Sequence, residues 1–267
     1  MKIDLFSAGT CRALGWFMNC SAPFKSITVP VGVALIHHPT AGLILFDTGL
    51  HPRCLTIVHW SQWLAHQLIH FNTTPNNTVV SWLAGKGFQP DAIQYVILSH
   101  YHNDHMGGLL DFPNCQFIAS QTEHDRLMEM TVFQQSSAAF NAALLPADFA
   151  QRLLAIEELL TIDQPELAEF GAVKEAFPHV FLVNLPGHTR VQYGAYLPNQ
   201  STFLIADALW TGAALDGPAT EPPSLVRFIK DNWQNYRQTM QRLRQFRASQ
   251  PDVRILASHD GQAFING

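Results

Sequence analysis

The sequence predicts a globular fold of mixed α and β structure, and three observations carry that expectation. Short apolar runs bounded by turn residues recur toward both ends of the chain, among them 29–37, 43–46, 180–185 and 202–206. Between them lie segments whose apolar residues return at helical spacing. The composition suits a large core: of 267 residues, 47% are hydrophobic and only 14% charged, which excludes a disordered chain.

Taken in order, Ile3 to Ser7 and Val29 to His37 read as strands. Pro39-Thr40-Ala41-Gly42 reads as a turn, with His37 and His38 beside it, and Leu43 to Phe46 as the returning strand. Ile57, Trp60, Leu64, Leu68 and Phe71 mark a helix over 55–71, which the Thr, Pro and Asn of 72–77 interrupt. Val79 to Lys86 reads as a second helix, and Tyr95 to Leu98 as a buried strand. Ser120-x-x-Glu123 has the form of a capping box, opening a helix through about Met130. Phe149, Leu153, Ile156 and Leu160 form the stripe of another helix. Val180 to Leu185, Thr202 to Ala206 and Arg254 to Ser258 read as strands. A long helix is expected from Ser224 to Phe246, after Pro222-Pro223. Its Arg237, Arg242, Arg244 and Arg247 read as a solvated face. The whole resembles two β-rich halves around a helical insertion over 121–178, in one domain spanning 1–267.

The chemistry concentrates in Ser99-His100-Tyr101-His102-Asn103-Asp104-His105, directly after the strand 95–98. A strand that stops at Ser99 throws three imidazoles and one carboxylate into a loop at the sheet's edge. Alternation along an extended chain points His100 and His102 the same way. Met106-Gly107-Gly108 then lets the backbone pass close by. Three further strand ends carry donors: His188 after 180–185, Asp207 after 202–206, and His259 after 254–258.

His100-x-His102-x-Asp104-His105, followed by His188, Asp207 and His259, resembles the full ligand set of the metallo-β-lactamase superfamily. Phe46-Asp47-Thr48-Gly49 resembles its early Asp-Thr-Gly strand end. The resemblance implies the metallo-β-lactamase fold, a four-layer αβ/βα sandwich. It also implies two divalent ions: His100, His102 and His188 on one, Asp104, His105 and His259 on the other, and Asp207 bridging. Asp47 would orient a ligand imidazole. Zinc is the first expectation, with Mn²⁺ or Fe²⁺ as alternatives. Two ions about 3.5–4 Å apart can hold a bridging hydroxide as nucleophile. Asp104 and Asp207 would be the catalytic carboxylates, Asp104 passing a proton to the leaving group. No Gly-x-Ser-x-Gly elbow competes with this reading.

Within the superfamily the chain looks most like the lactonase-like hydrolases, including the N-acyl homoserine lactone lactonases. The expected function is therefore opening of a lactone or cleavage of a similar carboxylic ester. A thioesterase or phosphodiesterase on the same centre, or a non-catalytic metal-containing binding protein, are the alternatives. Lactonases of that branch carry a Tyr three residues after the bridging Asp, where this chain has Trp210. Trp210 lacks a hydroxyl and is the candidate substrate contact. Trp16-Phe17-Met18, Trp60 and Trp63 read as core or dimer contacts before pocket walls.

A net charge of −5 argues against a nucleic-acid partner. No apolar run reaches membrane-spanning length. Asp4 stands where a signal peptide needs apolar residues, so a cytoplasmic location is expected. Cys11, Cys20, Cys54 and Cys115 show no Cys-x-x-Cys spacing and read as free thiols. A homodimer is the default assembly for such a protein.

Overall fold

The computed structural model describes residues 1–56 and 70–264. The helix expected over 55–71, with Trp60 and Trp63, therefore lies largely outside the described residues. The chain divides into two compact units. The first comprises residues 1–12, 28–155 and those from 261 onward, and the second residues 13–27 and 156–260.

The first unit is built on a sheet of seven strands: β1 (Lys2–Leu14), β2 (Ser26–His38), β3 (Gly42–Phe46), β4 (His70–Asn72), β5 (Ile93–Ile97), β6 (Gln116–Ala119) and β7 (Leu153–Ala155). Their spatial order is β4-β1-β2-β3-β5-β6-β7. β2 and β3 form the expected hairpin, with His38 opposite Gly42. His38 is the buried last residue of β2, and its Nδ1 accepts the Thr40 and Ala41 N–H groups at 3.3 and 3.0 Å, closing the turn. From β3 onward the pairing is parallel, which sets Phe46 opposite Ile97 and Ile97 opposite Ile118. The carboxyl ends of β3, β5 and β6 thus reach one edge together. Leu35, Leu45, Val96, Phe117 and Phe149 belong to the core that buries this sheet.

The segment 121–178 differs from the helical insertion expected there. It opens with helices Gln121–Met128 and Val132–Ser137, but then contributes three strands: β7, β8 (Leu160–Ile162) and β9 (Val173–Phe177). Phe149, Leu153, Ile156 and Leu160 do not share a helix. Leu153 to Ala155 add to the sheet edge by parallel pairing with Phe117 to Ala119. A short apolar run fits either period, and here the open edge of β6 decides between them. At Ser120 half of the expected capping box forms. The Ser120 hydroxyl accepts the Glu123 N–H at 3.1 Å, while the Glu123 carboxylate pairs with Arg126.

The second unit holds a six-stranded sheet in the order β13-β12-β11-β10-β9-β8. Its remaining strands are β10 (Val180–Asn184), β11 (Tyr193–Leu197), β12 (Thr202–Ala206) and β13 (Arg254–Ala257). Pairing is antiparallel from β8 to β12 and parallel between β12 and β13. β10, β12 and β13 therefore run the same way and end at the same edge. Phe170, Tyr196, Phe203 and Phe246 pack edge to face at the centre of this unit's core, with Phe203 and Phe246 centroids 5.3 Å apart.

The helix expected from Ser224 to Phe246 is broken. A 3₁₀ segment, Ser224–Ile229, precedes an α-helix, Trp233–Ser249, which Asn232 caps by accepting the Asn235 N–H at 2.9 Å. The break has a local cause. Asp231 N–H donates to the His188 carbonyl and Asn232 N–H to the Gly187 carbonyl, so neither is free to continue a helical ladder. Arg244 departs from a solvated face, whereas Arg247 keeps an exposed side chain. They pair with Glu221 and Asp216 at 2.6 and 2.8 Å, and each donates to a backbone carbonyl, of Ala214 and Leu215. Among the described residues no helix is long and apolar enough to cross a membrane.

Candidate metal centre

In the first unit the parallel register decides which groups meet. Because Phe46 lies opposite Ile97, the residues that follow each strand emerge side by side. Asp47 is fully buried and leaves β3 in a left-handed conformation (φ 62°). Its carboxylate accepts Ser99 N–H at 2.8 Å, Ser99 Oγ–H at 2.7 Å and His105 Nδ1–H at 2.7 Å. Three donors of this length satisfy a buried carboxylate, which would otherwise be costly. With its proton given to Asp47, Ser99 Oγ is left to accept from His100 Nδ1 at 3.0 Å. One carboxylate thus fixes the tautomer of two imidazoles, directly for His105 and through Ser99 for His100. In both rings Nε2 keeps the lone pair that a metal needs.

The backbone of the loop is fastened by the same tripeptide. Thr48 N–H and Oγ–H both donate to the His105 carbonyl, at 2.8 and 2.9 Å, and Gly108 N–H donates to Thr48 Oγ1 at 3.1 Å. A Cβ on Gly107 would lie 2.7 Å from the Gly49 carbonyl, so the close passage expected of Met106-Gly107-Gly108 is real. The rings of His100 and His102 are 4.5 Å apart and those of His100 and His105 4.1 Å. His105 Nε2 lies 3.8 Å from Asp104 Oδ2. The four predicted donors of the 100–105 run are gathered.

In the second unit the donors come from three strand ends. The β12–β13 register shifts between Leu204 and Ala206, and Ala206 takes φ 47°, a bulge that re-aims the next residue, Asp207. Ser258 N–H donates to the Ala206 carbonyl at 3.0 Å, which sets His259 beside it. The turn after β10 presents His188. There Gly187 (φ 132°) is the one residue type that fits, because a Cβ would lie 2.2 Å from the Tyr236 nitrogen. Asp207 Oδ2 ends 3.3 Å from His188 Nε2 and 3.4 Å from His259 Nε2. Lys230, 6% exposed, places Nζ 3.1 Å from His188 Nδ1. Burial pushes the Lys230 ammonium well below its ordinary pKa, and Asp207 pulls against that.

Those two Asp207 distances test whether a metal fits. A charge-assisted hydrogen bond runs about 2.7–2.9 Å, the length of His105 to Asp47. Two ligands on one tetrahedral ion, each about 2.0–2.1 Å from it, stand about 3.3–3.4 Å apart. The Asp207 contacts match the second spacing and not the first. The donor set of imidazoles and carboxylates also suits zinc and its first-row neighbours. His100, His102, Asp104 and His105 within the first unit, and His188, Asp207 and His259 within the second, carry the donor atoms that could hold an ion.

The family model of the metallo-beta-lactamase superfamily matches residues 29–256, most of the chain. The chain belongs to the metallo-beta-lactamase superfamily. It has that superfamily's fold, as expected, with two mixed sheets and helices, and by family it is a metal-dependent hydrolase. N-acyl homoserine lactonase AiiB of Agrobacterium fabrum is 28% identical over 247 residues, covering 91% of this chain and 83% of its own. N-acyl homoserine lactonase AiiA of Bacillus thuringiensis subsp. kurstaki is 23% identical over 218 residues, covering 79% and 76%. Among solved structures, a B. thuringiensis AiiA variant with N-decanoyl-L-homoserine at its active site aligns with a TM-score of 0.71. Its identity is 22%, with 98% of this chain and 94% of that one covered. AidC, a dizinc quorum-quenching lactonase, aligns with a TM-score of 0.65 at 18% identity, covering 96% and 86%.

Sequence reasoning assigns no role to two residues that touch these candidate donors. Ser99 opens the histidine run, and a hydroxyl before the first candidate ligand is a local cue. Lys230 lies 42 positions from His188 and carries no local cue at all.

Proposed function

We propose that this protein is a dinuclear metal-dependent hydrolase that opens a lactone or cleaves a similar carboxylic ester. His100, His102 and His188 hold one ion, Asp104, His105 and His259 the other, and Asp207 serves both. The observation that carries this is the position of Asp207 Oδ2, 3.3 and 3.4 Å from the Nε2 atoms of His188 and His259, which are assigned to different ions. Zinc is the proposed metal, supported by the donor set and by the dizinc neighbour AidC. The lactone reading is supported by the names of the lactonase relatives. Trp210 stands where that branch carries Tyr, so the lactone ring, rather than an acyl homoserine lactone in particular, is the proposed substrate class.

Bound at these residues, the ions supply an activated water and polarise the carbonyl under attack. The chain's own groups prepare the site for that chemistry. Asp47 and Ser99 hold His105 and His100 as Nδ1–H tautomers. Asp104, in the short helical turn Asn103–Met106 with His105, would carry a proton to the leaving oxygen. We also propose one catalytic domain over 1–267, in the cytoplasm, as a homodimer that binds neither nucleic acid nor membrane. The net charge of −5 and the four free cysteines support the setting.

The test compares metal-loaded and metal-stripped protein on a panel of lactones, thioesters and phosphodiesters. Lactone turnover that vanishes with the metal, by about a thousandfold or more, and returns on adding zinc is the expected result. Preference for a thioester or phosphodiester would move the substrate class, and no turnover with two ions bound would sink the hydrolase reading.

A further inference from the structure

We propose that Asp111 is a positioning residue, whose carboxylate pins the turn 51–54 against the loop that carries Asp104 and His105. The consequence for metal binding rests on the ligand assignment made above, whereas the pin itself does not. Arg53 Nη2 donates to Asp111 Oδ1, and His51 Nε2 stands 3.5 Å from Asp111 Oδ2. The side chains of Arg53, His51 and Asp111 are 28%, 18% and 16% exposed, so they meet largely out of water, where an ion pair is screened little. His51 is oriented for this contact by its own turn. Arg53 N–H donates to His51 Nδ1 at 3.2 Å, which leaves the ring proton on Nε2, toward the carboxylate.

Asp111 is a firm post for such a pin. It ends the 3₁₀ turn Leu109–Asp111 and precedes Phe112, and both Leu109 and Phe112 are fully buried in the core of this unit. The backbone bonds of the turn it grips are internal: Cys54 N–H donates to the His51 carbonyl at 2.8 Å and Leu55 N–H to the Pro52 carbonyl at 3.0 Å. That turn lies close on the loop. Cys54 Sγ–H donates to the Asn103 carbonyl at 3.4 Å, and a Cβ on Gly107 would lie 2.6 Å from Cys54 Sγ and 3.0 Å from the His51 nitrogen. Asn103 and Gly107 bracket Asp104, His105 and Met106. The helix they bracket, Asn103–Met106, is a single turn, too short to be stable without packing. A turn 51–54 held down at Asp111 therefore bears on both ends of the donor segment, and one that lifts frees both.

The test is thiol labelling of the whole chain, stripped of metal, with each cysteine followed separately by peptide mass spectrometry. Cys54 and Cys115 are both buried in the first unit, so the ratio of their rates separates a local lift of the turn from global unfolding. In Asp111→Asn that ratio should rise about 10- to 100-fold over wild type. Arg53→Gln should raise it likewise, and the double variant should go no further than the larger single effect, because both act through one contact. Equal acceleration of Cys54 and Cys115 would mark a lysis of overall stability alone and overturns the proposal, as does an unchanged rate at Cys54. Should Asp111→Asn not fold, Arg53→Gln carries the same expectation, and a wild-type ratio there counts equally against it. Zinc titration against a chromophoric chelator then reads the effect on the loop. Asp111→Asn should bind one of two ions about tenfold more weakly than wild type; wild-type affinity for both would mean that the turn does not set the donors, and the positioning role falls. His105→Ala separates the two levels. If it loses an ion while Asp111→Asn binds both tightly, only the role of Asp111 fails; if it keeps both, the ligand assignment fails and the labelling ratio alone decides the pin.

Discussion

The two halves of the proposed ligand set are built on opposite plans. His100, His102, Asp104 and His105 sit within six residues after one strand, and a single buried carboxylate, Asp47, orients two of their rings, one through Ser99. His188, Asp207 and His259 come from three strands spread over 72 positions of sequence, and the group against His188 Nδ1 is a lysine. A contiguous run can be held by one neighbouring strand end, because parallel register delivers that end alongside it. A dispersed set needs each member fixed separately: a bulge before Asp207, a glycine packed on a helix before His188, and a backbone bond from Ser258 to Ala206 for His259.

Four experiments break or sharpen this contrast, the largest expected effect first. Asp207→Asn removes the carboxylate between His188 and His259 in the dispersed half. Hydrolysis should fall by at least about a hundredfold, and elemental analysis should find fewer than two ions per chain. Retention of both ions and full rate would remove Asp207 from the centre. Asp47→Asn strikes the compact half from behind. Because His105 and His100 both depend on it, metal affinity should drop about 10- to 100-fold, with Ser99→Ala giving a smaller loss confined to His100. Equal losses for the two variants would mean that the relay through Ser99 is the main support, rather than the direct bond to His105.

Gly187→Ala tests how closely the dispersed half is packed. A Cβ there would meet the Tyr236 backbone at 2.2 and 2.3 Å and force a side chain into positive φ. We expect a loss of about 2–3 kcal/mol in stability, read as a lower unfolding midpoint. Gly85, where a Cβ meets nothing within 4 Å, is the control and should tolerate alanine. The smallest effect concerns the thiols. Burial pushes Cys54 and Cys115 up to about 12, so at pH 8 neither should react quickly with a thiol reagent, whereas exposed Cys20 should. Rapid labelling of Cys54, whose Sγ lies 3.4 Å from the Asn103 carbonyl, would show that the metal loop opens in solution.

Legibility followed the same division. The strands at 43–46, 202–206 and 254–257 were readable because short apolar runs bounded by turns have few other solutions, and the 100–105 run because its donors are neighbours. Residues 149–160 misled because their spacing satisfies a helix, while the open edge of β6 offered Leu153 to Ala155 a partner that spacing cannot express. The helix expected from Ser224 to Phe246 misled for a similar reason, since two of its N–H groups go to the turn carrying His188.

By itself the sequence determined the donor types, their order, and the strand ends that carry them, because those are properties of residues close together in the chain. Only the tertiary structure decided the orientation of each donor. Asp47 reaches His105 across 58 positions, and Lys230 reaches His188 across 42. Hydrogen bonds act over about 3 Å, so which groups share one is settled by register and packing, and neither distance nor direction is written in the order of the residues.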